Sequence, residues 1–377
     1  MQIGRRGLLG LGVAGAAGIA SAGNVKAAPR PVSRFQPILA KALVDHAAPG
    51  IAVGVREADG KVETAVAGLA NLETATNMSV VSVLRIGSLT KQFTAAAALK
   101  LAEQGKLDLD APIAETLPAF KGKPAFSLRE AIHHTAGLHS DEAGGALPDD
   151  GSLTQGKIAE AIAGQDTLFD FNPGTAWHYS NANYIVLGAA IEAAMHTPFD
   201  AAMERLLFQP LGLNHTAVDR QKDVVPGRVS GYGVSPDGDP GHWINQSIDV
   251  WQAGGAGAMR STVSDLLRWH QMLIGGKVLG ASALGAMLAP GTLRDGRVSG
   301  ANRFAPEDAN YGAVQYGGGL LISPPSARRT IMHYGFIAGF SALLETELDR
   351  GRTLAVLLNG DPGPNLPFCA LRNAVFG

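Results

Sequence analysis

Ser88 and Lys91 are the first residues in this chain whose types and spacing could do chemistry together. They stand in Arg85-Ile86-Gly87-Ser88-Leu89-Thr90-Lys91-Gln92-Phe93-Thr94, and an alanine-rich helical pattern runs on to a stop at Gly105. On a helix, positions three apart share one face. A serine opening that helix sits near the positive end of its dipole, which favours a developing oxyanion. A partly buried lysine amine beside it, with its pKa lowered by desolvation, is a base for the serine proton. The pair alone is a pattern of two fixed letters, and a serine that opens a helix is also an ordinary N-cap. Catalysis needs support from the rest of the chain.

Two further stretches supply it. In Phe171-Asn172-Pro173-Gly174-Thr175-Ala176-Trp177-His178-Tyr179-Ser180-Asn181, Pro-Gly turns the chain. Tyr179 and Asn181 then face the same way in an extended or looped backbone. A tyrosine beside an ammonium shuttles protons, because the charge favours phenolate. An asparagine amide both accepts from a lysine and donates to a substrate carbonyl. A core tyrosine with a satisfied hydroxyl is the plainer reading. In His333-Tyr334-Gly335-Phe336 the glycine lets a ligand approach a strand end. A following N–H, from Phe336, could join the Ser88 N–H as an oxyanion hole. His333 adds a donor or a switchable charge; a polar strand end with a turn is the alternative.

The elements that must position these groups follow from periodicity. Residues 35–47 have helical spacing, and Pro49-Gly50 breaks it. Ile51 to Arg56 and Lys61 to Gly68 read as strands joined at Asp59-Gly60. Helices and loops dominate from Leu107 to about Asn310. Ser127-Leu128-Arg129-Glu130 is a capping box opening a short helix that carries His133 and His134. Residues 140–157 and the Pro236–Gly241 stretch read as loops. Asn183–Ala194, Phe199–Phe208 and a segment from Thr262 to about Leu273 read as helices. Strands return at Val314–Ile322, Thr330–His333, Phe340–Glu347 and Thr353–Leu358, with hairpin-length connections that imply antiparallel pairing. The fold class is α+β: one antiparallel sheet built from both chain ends and flanked by helices, with a mostly helical lobe inserted. The boundaries are about 30–86 plus 311–377 for the sheet lobe and 87–310 for the helical lobe.

Composition narrows the class. The 377 residues are 46% hydrophobic and 17% charged, which fits a globular enzyme. Arg5-Arg6, an apolar stretch from Leu8 to Ala20, and Val25-Lys26-Ala27 before Ala28-Pro29 resemble a twin-arginine export signal. The general secretory route is the alternative, and uncleaved anchoring a weaker one. The expectation is an exported, periplasmic or extracellular protein cleaved near Ala27, with residues 28–377 as the folded domain. The apolar run is too short to span a bilayer, so no stable membrane anchor is expected. Residues 1–27 carry Arg5, Arg6 and Lys26 and no acid. Without them 28 basic residues face 33 acidic ones, a net charge of −5. With no basic run anywhere, nucleic-acid binding is not expected. Cys369 is the only cysteine, so there is no internal disulfide.

Taken together the motifs resemble the serine β-lactamase and penicillin-recognising family in its class C branch, which includes D-peptidases and esterases. The likeness covers about residues 34–360. It rests on Ser88-Leu89-Thr90-Lys91, Tyr179-Ser180-Asn181 and His333-Tyr334-Gly335 in the family's order. Flanks match as well: Arg85-Ile86-Gly87, His134-Thr135-Ala136-Gly137-Leu138, Phe171-Asn172-Pro173-Gly174, Pro210-Leu211-Gly212-Leu213, and Gly254-Gly255-Ala256-Gly257 with Ser261-Thr262. The resemblance implies a β-lactamase/transpeptidase-like fold and a Ser88 acyl-enzyme. It implies that Lys91 and Tyr179 share acid and base duty and that Asn181 positions the substrate amide. The Ser88 and Phe336 amides would form the oxyanion hole, with His333 and Gly335 beside it. No cofactor or metal is implied.

One departure is informative. True β-lactamases usually carry Lys-Thr-Gly as the third motif; here it is His-Tyr-Gly. A histidine is mostly neutral at pH 7, and Tyr334 replaces a small hydroxyl with a bulky ring. The expected activity is therefore esterase or D-peptidase-like, on a small-molecule or peptide ester or amide. A class C-type β-lactamase is the alternative. A non-catalytic cell-wall-binding relative is an alternative of another class. Metal-dependent hydrolysis is prompted by His133, His134 and His139, but two neighbouring histidines on a helix diverge and no His-Glu-x-x-His is present.

Overall fold

The structure is a computed structural model that describes residues 33–139, 153–239, 241–246 and 248–377. The expected export segment and its cleavage point, and residues 140–152 of the expected loop, lie outside the described residues.

After a helix at Gln36–Val44, β1 (Gly50–Arg56) and β2 (Val62–Asn71) form the expected hairpin, with Gly60 taking φ +88° in its turn. Short strands follow: β3 (Thr76–Asn77), β4 (Leu84–Arg85), β5 (Ala217–Val218), β6 (Tyr232–Val234), β7 (Trp243–Asn245) and β8 (Met259–Ser261). The chain closes with β9 (Gln315–Tyr316), β10 (Leu321–Ile322), β11 (Thr330–Ile337), β12 (Phe340–Glu347) and β13 (Arg352–Leu358), then a helix at Phe368–Phe376. The main sheet is antiparallel throughout, in the order β3-β2-β1-β13-β12-β11-β10-β9, so strands from the two ends of the chain meet at the β1–β13 pair. All eight residues of β12 are buried, as are most of β1 and β13. Both faces of these strands are therefore covered, which explains their unbroken apolar runs. The Val263–Ile274 helix packs on β1 and β13, and a Cβ at Gly54 would come within 3.0 Å of Leu267 Cδ1.

Between the strand groups lie the helices. Thr90–Glu103 is buried along most of its length, with Ala95 to Ala98 fully enclosed. It packs against the buried Asn181–Met195 helix and the Gly254–Gly257 turn. No helix among the described residues is long and apolar enough to cross a membrane.

Several boundaries differ from the sequence reading, each for a physical reason. The expected strand Val314–Ile322 splits into β9 and β10 around Gly317-Gly318-Gly319; Gly319 takes φ +72°, where a Cβ would lie 2.5 Å from the Lys91 carbonyl carbon. The expected strand Thr330–His333 runs on to Ile337, because β12 pairs with it over its whole length. The expected helix to Phe208 continues to Leu211, widening to π geometry at Glu204–Phe208 just before Pro210, which lacks an N–H. The Ser127 capping box forms, but its helix stops at Ile132; His133 is the C-cap and His134 turns to φ +57°. The loop expected to reach residue 157 ends at Thr154, which N-caps a helix from Gln155. Just after the expected Pro236–Gly241 loop, β7 pairs with β6, a short hairpin the sequence reading did not place.

Candidate active site

Ser88 lies in a single 3-10 turn, Gly87–Leu89, that feeds the Thr90–Glu103 helix. It is half-buried between buried neighbours. Two glycines build its surroundings. Gly87 takes φ +50°, and a Cβ there would meet the Phe336 nitrogen at 2.7 Å. A Cβ on Gly335 would meet the Ile86 carbonyl oxygen at 2.0 Å. The backbone of Ile86–Ser88 thus lies directly against that of Gly335–Phe336, a contact open only to residues without side chains. Ser88 and Phe336 line the same two clefts.

Lys91 is fully buried one turn on, and its Nζ lies 3.1 Å from Ser88 Oγ, 2.8 Å from Asn181 Oδ1 and 2.8 Å from the Ala256 carbonyl oxygen. Both carbonyl oxygens only accept, so two N–H bonds of the amine are directed at them. The remaining tetrahedral position, proton or lone pair, faces Ser88. Asn181 reaches Lys91 because Ser180 is the extended N-cap of the Asn181–Met195 helix, which starts two residues earlier than the sequence pattern suggests. The Tyr179 ring sits 4.8 Å from Lys91 Nζ and stacks on Tyr311 at 5.8 Å, and its hydroxyl faces Ser88. Enclosure of this phenol drives its pKa well above the usual tyrosine value; Tyr311 adds to the rise and the Ser88 hydroxyl opposes it. Tyr179 therefore rests as the neutral phenol.

His333 departs from its reading as a switchable charge, and its donor is spent within the protein. Burial, with a contribution from Lys91, lowers its pKa to about 3. Its Nδ1–H donates to the Tyr334 carbonyl at 2.6 Å, and Nε2 accepts from the Tyr316 hydroxyl at 3.1 Å. It is neutral with both nitrogens engaged. The structure thus gathers Ser88, Lys91 and Asn181 into one hydrogen-bonded group, lays the Tyr179 ring against it, and sets Gly335 and Phe336 beside it, with His333 behind.

Two contributors escaped the sequence reading. Ala256 offers only a backbone carbonyl, brought close by the Gly254-Gly255 run: a Cβ on Gly255 would lie 2.5 Å from the Tyr184 carbonyl oxygen. The glycine run was the available signal. His134, expected on a helix, instead clamps the Tyr179 loop. Its carbonyl accepts from His178 N–H, its Nδ1 accepts from Ser180 N–H and the Asn183 amide, each at 3.2 Å, and its ring lies 4.5 Å from that of Tyr179. His133, His134 and His139 do not converge: His133 Nδ1 pairs with the Tyr316 carbonyl and His139 with Asp170. Among the described residues no three metal-ligating side chains cluster.

Ser88 opens onto two clefts. One, of about 600 Å³, is walled by Tyr179, Tyr311, Leu321, Met332, Tyr334 and Phe336. The other, of about 400 Å³, includes Asn181, Asp249, Gln252 and Ile337. Arg372 at the edge of the first is tied by two bonds to the buried Glu345.

Comparison with known proteins identifies relatives of the chain. Penicillin-binding protein 4* of Bacillus subtilis (strain 168) is 26% identical over 291 residues, covering 74% of this chain; the chain spans only 61% of that relative's length. Esterase EstB of Burkholderia gladioli is 28% identical over 363 residues, covering 82% of this chain and 86% of the esterase. The crystal structure of a D-stereospecific amidohydrolase from Streptomyces sp. superposes with a TM-score of 0.67 at 28% identity, covering 87% of this chain and 94% of the other. The β-lactamase/transpeptidase-like fold is common to them, and since the family model described as Beta-lactamase matches residues 34–375, the chain belongs to that family.

Proposed function

We propose that this protein is a serine hydrolase that cleaves an ester or amide through a Ser88 acyl-enzyme, in the manner of the family's esterases and D-peptidases. The observation that carries the reading is the Lys91 amine, oriented by two carbonyl oxygens with its remaining position 3.1 Å from Ser88 Oγ. As Ser88 Oγ attacks the substrate carbonyl carbon, its proton passes to the Lys91–Tyr179 unit, which titrates as a coupled pair. The Ser88 and Phe336 N–H groups receive the oxyanion. Tyr179 returns the proton to the leaving alcohol or amine. A water, deprotonated by the same unit, then attacks the acyl carbon, and Ser88 recovers its proton as the acid departs.

The substrate class follows from the charges. No unpaired cation lines either cleft among the described residues: His333 is neutral and Arg372 is held by Glu345. A leaving group without a carboxylate fits better than a β-lactam or a C-terminal D-alanine. Uncharged esters and amides with aromatic or apolar groups suit the larger cleft. The Arg5-Arg6 segment supports export, with cleavage near Ala27.

The test uses p-nitrophenyl butyrate and D-phenylalanine p-nitroanilide with the parent and Ser88→Ala, and a fluorophosphonate probe read by intact mass. Turnover and a single adduct in the parent, both lost in Ser88→Ala, support the reading. Equal turnover in Ser88→Ala overturns it.

A further inference from the structure

We propose a small-oxyanion site in a cavity separate from the Ser88 clefts, formed by Arg85, Arg228 and Arg260. The cavity has a volume of about 130 Å³ and is also lined by Ser230, Gly231 and Phe340. That is well beyond the ~10–15 Å³ a single water needs.

The argument begins with charge. Arg85 on β4 and Arg260 on β8 are direct cross-strand partners, an arrangement of like charges that destabilises a sheet unless compensated. The main compensation is Asp219, 1% exposed, whose two oxygens serve three guanidinium groups: Arg85 Nε at 2.8 Å, Arg228 Nη2 at 2.9 Å and Arg260 Nη1 at 2.9 Å. Asp223 approaches only Arg260, at 3.4 Å, and its side chain is 45% exposed, where solvent screens it. Asp361 accepts from the Gln246 amide and the Gly339 N–H and forms no ion pair with the three arginines among the described residues. Three positive charges therefore share one buried carboxylate.

The second observation is independent of the charge count. Arg85 is only 6% exposed, and its Nη1 is buried with no hydrogen-bond partner. Arg228 Nε is in the same condition. The other nitrogens of these two side chains are engaged with Asp219, Gln221 and the Arg220 and Gln221 carbonyls. A buried guanidinium N–H without an acceptor is costly, and planar guanidinium groups are suited to oxyanions. One tetrahedral or planar oxyanion in the cavity would offset the excess charge of the three guanidinium groups, beside the strand that leads, three residues on, to Ser88.

The experiment is isothermal titration calorimetry of the full chain with inorganic phosphate, in a chloride-free buffer at ionic strength fixed with sodium gluconate, alongside thermal unfolding. Parallel titrations with sulfate and acetate distinguish an inorganic oxyanion from a carboxylate. The expected result is saturable one-to-one binding, with a Tm that rises with ligand as mass action requires. In Arg228→Gln, which removes one charge from a partly exposed side chain, affinity falls at least tenfold. Arg329→Gln, at an exposed pair with Asp349, retains parent affinity. Absence of saturable heat in the folded parent overturns the proposal, as does equal affinity in Arg228→Gln. If Arg228→Gln does not fold, Arg260→Gln is read in the same way.

Discussion

Gly335→Ala adds one methyl group at the contact on which the proposed oxyanion hole depends. The new Cβ would start 2.0 Å from the Ile86 carbonyl oxygen, and side-chain carbons essentially never come within 3.0 Å of such an atom. β11 and the nucleophile turn must then separate by about 1 Å. Strand β11 has little freedom to move the other way. Gly335 is paired with Ala342 on the fully buried β12, and the same Cβ would also lie 3.2 Å from Ala342 Cβ. The displacement therefore falls on the gap between Ser88 N–H and Phe336 N–H. A misplacement of about 1 Å costs on the order of 100-fold in rate, and losing one oxyanion donor costs ~10²–10³. A 100-fold loss corresponds to about 2.7 kcal/mol of transition-state stabilisation.

Because the oxyanion forms only in the transition state, kcat should fall while KM stays nearly constant. Overpacking should also cost ~1–3 kcal/mol of stability. The assay is steady-state hydrolysis of p-nitrophenyl butyrate, with urea unfolding followed by circular dichroism. Gly285→Ala is the control: it lies exposed in the Ala281–Met287 helix with nothing within 4 Å of an added Cβ. It should gain up to about 1 kcal/mol of stability and leave kcat unchanged. A folded Gly335→Ala with kcat within threefold of the parent would refute the close-contact argument.

Tyr179→Phe keeps the ring stacked on Tyr311 and removes only the proton carrier. It should fold normally and lose ~10²–10⁴ in kcat, measured with the same ester. His134→Leu removes the acceptor for Ser180 N–H and puts a γ-branched side chain at φ +57°. We expect kcat to drop about tenfold or more, with His134→Asn, which tolerates that φ and offers an oxygen in place of Nδ1, recovering most of it. The pH dependence of stability has a definite sign. Burial lowers His333 and His270 to about 3 and His133 to about 4, from an ordinary value of 6.5. Below about 6.5 the unfolded chain binds protons that the fold refuses, so stability is full above that pH and falls as pH drops towards 4. The urea midpoint should decline between pH 6.5 and 5, above the main carboxylate range; a flat midpoint there would contradict the burial of these rings. Benzylpenicillin, which carries a carboxylate, should be turned over at least a hundredfold more slowly than p-nitrophenyl butyrate, as measured by absorbance.

What was legible in the sequence divides along a physical line. Ser88 and Lys91 were legible because a helix fixes the geometry of positions three apart, whatever surrounds it. The β1–β2 hairpin was legible because Asp59-Gly60 specifies a turn locally, and the β12–β13 hairpin because only a short connection separates its two strands. The properties that set the chemistry were not local. His333 is neutral because Tyr316 and the sheet enclose it, although its sequence neighbours say nothing of burial. Ala256 helps direct the lysine through a carbonyl oxygen, and a backbone group leaves no side-chain letter to read. His134 was visible as a letter but assigned to the wrong element, since the helix end at Ile132 depends on the turn that follows. The glycines join the two kinds of information. Gly87, Gly255, Gly319 and Gly335 each stand where another backbone passes too close for a Cβ, and three of these four contacts touch the nucleophile turn or Lys91 itself. In this chain the functional residues announce the chemistry, and the glycines beside them determine how tightly the backbone can close around it.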